Sequence, residues 1–139
     1  MRAPAEAHIL LVDDDTDTRE VLRLILESEG FIVTPAVDGL DALQQLHAIH
    51  RRDPRTPCAI VLDYMMPRFS GAQFRATQLA NPDLADVPVI LVSAMADIES
   101  RAASLRAFAV LQKPVNPDRL ITTVRQAAEL YLNRKSPAN

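Results

Sequence analysis

Short apolar runs alternate with amphipathic segments along this chain. Four runs have the length and aliphatic content of buried strands: HILLV (8–12), AIVL (59–62), PVILV (88–92) and AVLQ (109–112). A fifth run, FIVTPAV (31–37), predicts a strand in which Pro35 must lie at a sheet edge or among the last residues. The segments that follow the runs predict helices over about 17–29, 40–49, 72–80, 98–107 and 117–132.

Local signals support the helix boundaries. Thr16 or Asp17 can cap the first helix, because Glu20 lies three residues after Asp17, as in a capping box. Gly30 is a typical residue to end that helix. Asn116, followed by a proline at the first helical position, is expected to cap the last helix.

The apolar positions within the helices predict which faces are buried. In the first helix the 21/22/25 spacing predicts the stripe that faces the sheet, and positions 40, 43, 46 and 49 mark the second helix. Strands that alternate with amphipathic helices are typical of βα repeats on a parallel sheet. We therefore predict an α/β protein, a single doubly wound (βα)5 sandwich on a five-stranded parallel sheet. The domain is expected over residues 8–132, with short tails at 1–7 and 133–139 and no output domain.

Composition narrows the class of protein. The chain has 139 residues, of which 48% are hydrophobic and 24% charged, and its net charge of −3 argues against nucleic-acid binding. The single cysteine, Cys58, excludes an internal disulfide and fits a reducing compartment. No apolar stretch reaches the roughly 18 residues of a membrane span, and the N-terminus lacks a secretory signal. We expect a cytoplasmic protein.

Polar residues with phosphate and metal chemistry follow four of the apolar runs. The first run ends on three aspartates (13–15), and the others end on Asp63, Ser93 and Lys113-Pro114. Parallel strands bring their carboxyl ends to one edge of the sheet, where ligands of open α/β sheets bind. Carboxylates, a hydroxyl and an ammonium group are therefore expected to lie together.

The first aspartates form an acidic cluster with two interpretations. At an effective dielectric near 20, two carboxylates about 4 Å apart repel by roughly 4 kcal/mol, so the cluster either points into solvent or holds a cation. A solvated helix-capping turn explains Asp15 and Asp17. Asp13 and Asp14 directly follow an apolar strand, and a bound cation explains their position better than a solvated turn does. Oxygen ligands without His or Cys favour Mg²⁺ over zinc.

The other strand ends are ambiguous when each is taken alone. Asp63 could be a loop acid or a nucleophile for phosphoryl transfer. Lys113 could extend to solvent or neutralise a phosphate, and Pro114 makes a cis peptide bond a candidate. Ser93 could end a strand or donate to a phosphoryl oxygen. His47 and His50 lie one helical turn apart without a third ligand, which favours a solvated helix face over a metal site.

In combination, these residues resemble a known family. The segments LLVDDD (10–15), LDYMMPRFSG (62–71), VSA (92–94) and QKP (112–114) are similar to the receiver domain of bacterial two-component response regulators. The resemblance covers about residues 8–132 and implies a flavodoxin-like fold with strand order 2-1-3-4-5. It implies that Asp63 is the phosphoacceptor, taking a phosphoryl group from a histidine kinase or a histidine phosphotransfer protein.

The resemblance also implies the roles of the residues around Asp63. Asp14 would be a direct ligand of Mg²⁺ (or Mn²⁺), with Asp13 in the acidic pocket acting through water and the backbone carbonyl of Met65 as a further ligand. The phosphate-binding and switch residues would be Ser93, Ala94 and Lys113.

Two features depart from the family pattern. Receivers usually carry Tyr or Phe three residues before the lysine, where this chain has Val110, so an aromatic relay is not expected there. Met65 and Met95 stand two residues after Asp63 and Ser93, where polar residues can orient an attacking water. We therefore hypothesise a long-lived phosphoryl state; the alternative is that both methionines only pack the rim of the pocket.

These observations lead to one principal function and several alternatives. The chain is expected to be a phosphorylation switch that binds a protein partner and is not an enzyme beyond its own phosphorylation and dephosphorylation. Phosphorylation-dependent dimerisation is a further expectation. One alternative is a small aspartate-nucleophile phosphohydrolase, although Met65 replaces the second acid such enzymes use. The chain could instead be a receiver fragment of a hybrid kinase or larger regulator, or a scaffold without phosphorylation.

Overall fold

Five parallel strands alternate with five helices in the computed structural model, which describes residues 7–135. The strands are β1 (His8–Val12), β2 (Ile32–Ala36), β3 (Ala59–Asp63), β4 (Val89–Ser93) and β5 (Ala109–Gln112). The helices are α1 (Thr16–Ser28), α2 (Gly39–Arg52), α3 (Gly71–Leu79), α4 (Ile98–Ser104) and α5 (Pro117–Lys135). The sheet order is β2-β1-β3-β4-β5 with every pair parallel. This flavodoxin-like architecture confirms the predicted fold.

The core lies on both faces of the central strands. Nearly every residue of β1, β3 and β4 is buried, as expected for strands that carry helices on both faces. β2 is an edge strand, in which Pro35 pairs with Leu11 of β1. No strand lies on the other side of β2, so the N–H that proline lacks is not needed for pairing there. The edge position predicted from Pro35 is therefore confirmed.

The face that α1 buries differs from the prediction. Leu22 and Leu26 are buried and Ile25 is partly buried, whereas Val21 and Leu24 are 55% and 58% exposed. The predicted 21/22/25 stripe was therefore wrong at its first position. Five of the six residues from 21 to 26 are apolar, so spacing alone did not define which of them face the sheet.

Several helix ends also differ from the predictions. Asp15 caps α1 by accepting a hydrogen bond from the N–H of Thr18, which replaces the predicted capping box. α2 continues to Arg52 and α5 to Lys135, three residues beyond each predicted end, and α4 ends at Ser104 rather than 107. The predicted cap Asn116 is confirmed, because its Oδ1 accepts from Arg119 N at 3.1 Å.

Within residues 7–135, no helix has the length and apolar character needed to cross a membrane.

Candidate functional site

The carboxyl edge of the sheet gathers the predicted acidic residues. Asp13, Asp14 and Asp63 each offer one carboxylate oxygen, and these oxygens lie within 4.8 Å of one another. Asp13 and Asp63 are buried and Asp14 is exposed. Among residues 7–135, this is the one cluster of three or more potential metal ligands, so His47 and His50 belong to none.

Lys113 supplies the positive charge of the cluster. Its Nζ lies 3.2 Å from Asp13 Oδ2 and 3.5 Å from Asp63 Oδ2. Burial alone would lower the pKa of Lys113, but the carboxylates of Asp63 and Asp13 raise it above its ordinary value. Lys113 therefore points into the acidic pocket, and the alternative that it extends to solvent is wrong. The Lys113-Pro114 peptide bond is cis, as the sequence suggested.

One positive charge does not balance the three carboxylates. Burial, the charge of Asp13 and, to a smaller extent, the charge of Asp14 together raise the pKa of Asp63 to about 6. Lys113 and the N–H of Met65, which donates to Asp63 Oδ1 at 3.2 Å, oppose this shift. The pocket is thus deficient in positive charge, and its oxygen donors are those that Mg²⁺ prefers. The residues present fit a divalent cation.

Contacts other than that with Lys113 also hold Asp13 in place. Its Oδ1 accepts a hydrogen bond from Asp15 N at 2.8 Å, and its carbonyl accepts one from Arg19 Nη1 at 2.7 Å. Arg19 was not predicted from the sequence, because no motif or spacing links this helical position to Asp13. Asp15 caps α1 and Asp17 is exposed on its first turn, so the solvated-turn interpretation holds for these two.

Ser93 ends β4 as a fully buried hydroxyl. Its Oγ accepts a hydrogen bond from Met95 N at 3.1 Å, which leaves the hydroxyl proton available for donation. Lys113 N donates to the carbonyl of Ser93 at 2.9 Å, so the ends of β4 and β5 are tied together. Ala94 follows as an exposed residue.

The loop after Asp63 folds back on the strand end. Gly71 N donates to Tyr64 O at 3.2 Å, and a Cβ at Gly71 would lie 2.8 Å from Asp63 O. Only glycine therefore allows α3 to begin this close to the site. Met65, which is 59% exposed, stands at the outer side of the loop.

A groove beside the site was not predicted from the sequence. It has a volume of about 570 Å³ and is lined by Tyr64, Met65, Met66, Pro67, Ser70, Met95 and Arg101. The guanidinium of Arg101 lies 6.0 Å from the centre of the Tyr64 ring, and its Nη1 donates to the hydroxyl at 3.4 Å. Both methionines singled out in the sequence therefore line one surface next to Asp63.

Val110 lies where the family has an aromatic residue. It pairs in register with Leu91, is partly buried, and lines a cavity of about 240 Å³ together with Ala96 and Ile98. Phe108 does not line this cavity and lies instead at a second cavity before β4. Phe108 therefore does not supply an aromatic side chain to the cavity beside Val110.

Comparisons with known proteins agree with this geometry. A family model described as the response regulator receiver domain matches residues 9–125. The chain is 38% identical over 128 residues to an uncharacterized 14.6 kDa protein of Leptolyngbya boryana, with 91% of this chain and 93% of that protein covered. It is 37% identical over 131 residues to the response regulator MprA of Mycobacterium sp. (strain KMS), with 93% and 52% covered.

A solved structure shows the same architecture. The signal receiver domain of a signal transduction histidine kinase from Syntrophus aciditrophicus superposes with a TM-score of 0.81 at 25% identity, covering 96% of this chain and 97% of that one. The chain thus spans nearly all of the Leptolyngbya protein and of this receiver domain. It spans about half the length of the Mycobacterium regulator.

Proposed function

Because the chain belongs to the response regulator receiver domain family, we propose that Asp63 accepts a phosphoryl group from a histidine kinase or a histidine phosphotransfer protein. The observation that carries this proposal is the buried Asp63 carboxylate, which lies 3.5 Å from Lys113 and beside two further acids. In the proposed transfer, an Asp63 oxygen forms the new O–P bond while the N–P bond of the donor phosphohistidine breaks. The bonding electrons stay on the donor imidazole, which takes up a proton.

The residues around Asp63 have complementary tasks. Asp14 and Asp63, with Asp13 behind them and the Met65 carbonyl as an additional proposed ligand, would hold Mg²⁺ or Mn²⁺. When bound, the cation supplies positive charge that offsets the repulsion between the carboxylates and the incoming phosphoryl oxygens. Lys113 stays protonated in this pocket and neutralises a second part of that charge.

Ser93 connects phosphorylation to a change of surface. Its hydroxyl proton is free to donate to a phosphoryl oxygen, with Ala94 following on the same loop. The hydrogen bond from Met95 N to Ser93 Oγ means that a movement of Ser93 also moves the loop leading to α4. A local electrostatic change at Asp63 would thereby bias the position of that loop, and with it partner binding or dimerisation.

The proposed phosphorylated state is long-lived. Thioether side chains at Met65 and Met95 line the groove beside Asp63 and cannot orient a water for attack on the acyl phosphate. Met65 also stands where an aspartate-nucleophile phosphohydrolase carries its second acid. The lack of that acid disfavours the alternative of an enzyme with multiple turnovers. We therefore propose a switch whose chemistry is confined to its own phosphorylation and dephosphorylation.

The domain is proposed to act over residues 8–132, either alone or as the receiver part of a larger regulator or hybrid kinase. Nothing beyond the receiver is needed for phosphorylation at Asp63, because the predicted acids, hydroxyl and lysine all lie on this one sheet edge.

The proposal is tested by the intact mass of the chain after incubation with acetyl phosphate and Mg²⁺. We expect one added phosphoryl group, a gain of about 80 Da, in the wild type and in the matched control Asp17→Asn, which removes an exposed acid of the same region. Asp63→Asn should show no gain. An adduct that persists in Asp63→Asn, or an unmodified wild type, contradicts the proposal.

A further inference from the structure

A buried arginine on α3 has no anionic partner. Arg75 is 4% exposed, and its guanidinium donates to the carbonyls of Leu105, Arg106 and Val87 and to Gln78 Oε1, at 3.0, 3.0, 3.4 and 2.8 Å. An arginine has five N–H donors, so these four hydrogen bonds leave one N–H of Nη2 without a partner among residues 7–135. A buried charge without a counter-charge is costly and requires a physical reason.

Two more arginines surround a cavity beside Arg75. The cavity has a volume of about 210 Å³, and Arg75, Arg106 and Arg134 all line it. Neither Arg106 nor Arg134 forms an ion pair with any residue that the structure describes. The one carboxylate in the lining, Asp86, is already paired with Lys135 at 2.8 Å. Burial lowers the pKa of Arg75 and the charge of Arg106 lowers it further, so positive charge is in excess here.

The cavity lies at the edge of the sheet opposite to Asp63. Val87 and Pro88, which directly precede β4, and Phe108, which precedes β5, complete this part of the lining. Asp63 ends β3, and a strand of five residues is about 16 Å long. The arginine cavity is therefore separate from the acidic pocket.

We propose that this cavity binds a phosphate group, with Arg106 and Arg134 as its principal ligands and the remaining N–H of Arg75 as a third donor. Guanidinium groups match phosphate oxygens in bidentate geometry. A bound oxyanion also provides the counter-charge that Arg75 lacks.

The size and lining of the cavity limit the chemical class of ligand that it can bind. Its 210 Å³ is below the roughly 300–1,000 Å³ of sites for drug-sized ligands. The occupant is therefore a single phosphate group, either free or carried on a small body. Phe108, 37% exposed, offers an apolar contact to such a body.

The test is an amide NMR titration of the full chain with inorganic phosphate and, separately, with phenyl phosphate, at ionic strength matched with sodium chloride. We expect saturable shifts of the amides of Asp86, Arg106 and Arg134. Tighter binding of phenyl phosphate would identify an organic phosphate monoester as the ligand class, and equal binding would identify phosphate itself.

Matched variants separate this site from the acidic pocket. Arg106→Gln and Arg134→Gln should each weaken phosphate binding by about tenfold, the effect of one charged hydrogen bond. Arg51→Gln, which removes an exposed arginine on α2, and Asp63→Asn should leave it unchanged. Shifts that do not saturate, that chloride reproduces, or that persist in both cavity variants overturn the proposal. Because the proposed cavity does not include Asp63, retained binding in Asp63→Asn would show that the result is independent of the phosphoacceptor proposal.

Discussion

Replacing Asp63 by Asn should stabilise the metal-free protein at neutral pH. Burial and the charge of Asp13 raise the pKa of Asp63 from its ordinary value of 3.8 to about 6. The folded state therefore holds the proton more tightly than the unfolded state does. The stability that this proton contributes is complete below about pH 4 and is lost as the pH rises through about 6.

The magnitude follows from this difference in pKa. A change from 3.8 to about 6 corresponds to about 3 kcal/mol, at about 1.4 kcal/mol per pH unit. Above pH 7 the wild type should carry this full penalty, whereas Asp63→Asn carries none. The variant should therefore be more stable by about 3 kcal/mol at pH 7.5 and by little at pH 4.

The assay is urea unfolding of wild type and Asp63→Asn at pH 4 and pH 7.5, with a chelator present. The difference between the two proteins reports on Asp63 and on its coupling to Asp13 and Lys113, because all other titrating groups are common to both. Asp17→Asn, which removes an exposed carboxylate on the nearby first turn of α1, is the control and should change stability little. A variant that is no more stable than the wild type at pH 7.5, or a difference in stability that shrinks as the pH rises, would contradict a raised pKa of Asp63. Adding Mg²⁺ should stabilise the wild type more than the variant.

Three further predictions concern the residues around the site and on α3. Arg75→Leu should cost about 2–4 kcal/mol in urea unfolding, because it strips several buried acceptors of their donor, and Arg75→Lys should restore only part of the loss. Gly71→Ala should destabilise the chain, because its Cβ would lie 2.8 Å from the Asp63 carbonyl oxygen, and the melting temperature should fall; an unchanged value would contradict the close approach. Met65→Asn and Met95→Asn should each shorten the lifetime of the phosphorylated chain, measured as loss of the phosphoryl mass with time; lifetimes equal to that of the wild type would leave both methionines with a packing role only.

The fold could be predicted from sequence because its signals are local and repeated. Aliphatic runs alternate with amphipathic segments, and this alternation specifies a parallel sheet covered on both faces. Details that depend on packing could not be predicted. The apolar positions of α1 exceed what one face can bury, so Val21 and Leu24 remain exposed. Asp15 caps α1 because its carboxylate accepts a hydrogen bond from Thr18 N. The neighbouring Thr16 and Asp17 are also typical capping residues, so the sequence did not indicate which of the three is the cap.

The candidate site likewise contains residues that the sequence predicts and contacts that only the fold creates. Asp13, Asp63, Ser93 and Lys113 were predictable because each ends or directly follows a strand, and strand ends converge at one edge. The contacts that hold or flank them come from side chains elsewhere in the chain. Arg19 binds the carbonyl of Asp13 from α1, and no sequence pattern linked these two positions.

The buried Arg75 was equally invisible in the sequence. Its charge would normally indicate an exposed helix position, and only the fold shows that it donates to carbonyls at the end of α4. The arginine cavity could not be predicted either, because its three arginines lie far apart in the sequence. Arg75 lies on α3, Arg106 in the turn before β5 and Arg134 near the end of α5, and only the fold brings them to one cavity.

We propose that Asp63, and no other residue of the acidic pocket, carries the phosphoryl group. The most direct measurement is to phosphorylate the chain with acetyl phosphate and Mg²⁺, reduce the acyl phosphate with borohydride, and locate the resulting homoserine by tandem mass spectrometry. We expect homoserine at position 63 alone. Homoserine at position 13 or 14, or a stable phosphate ester on Ser93, would contradict it.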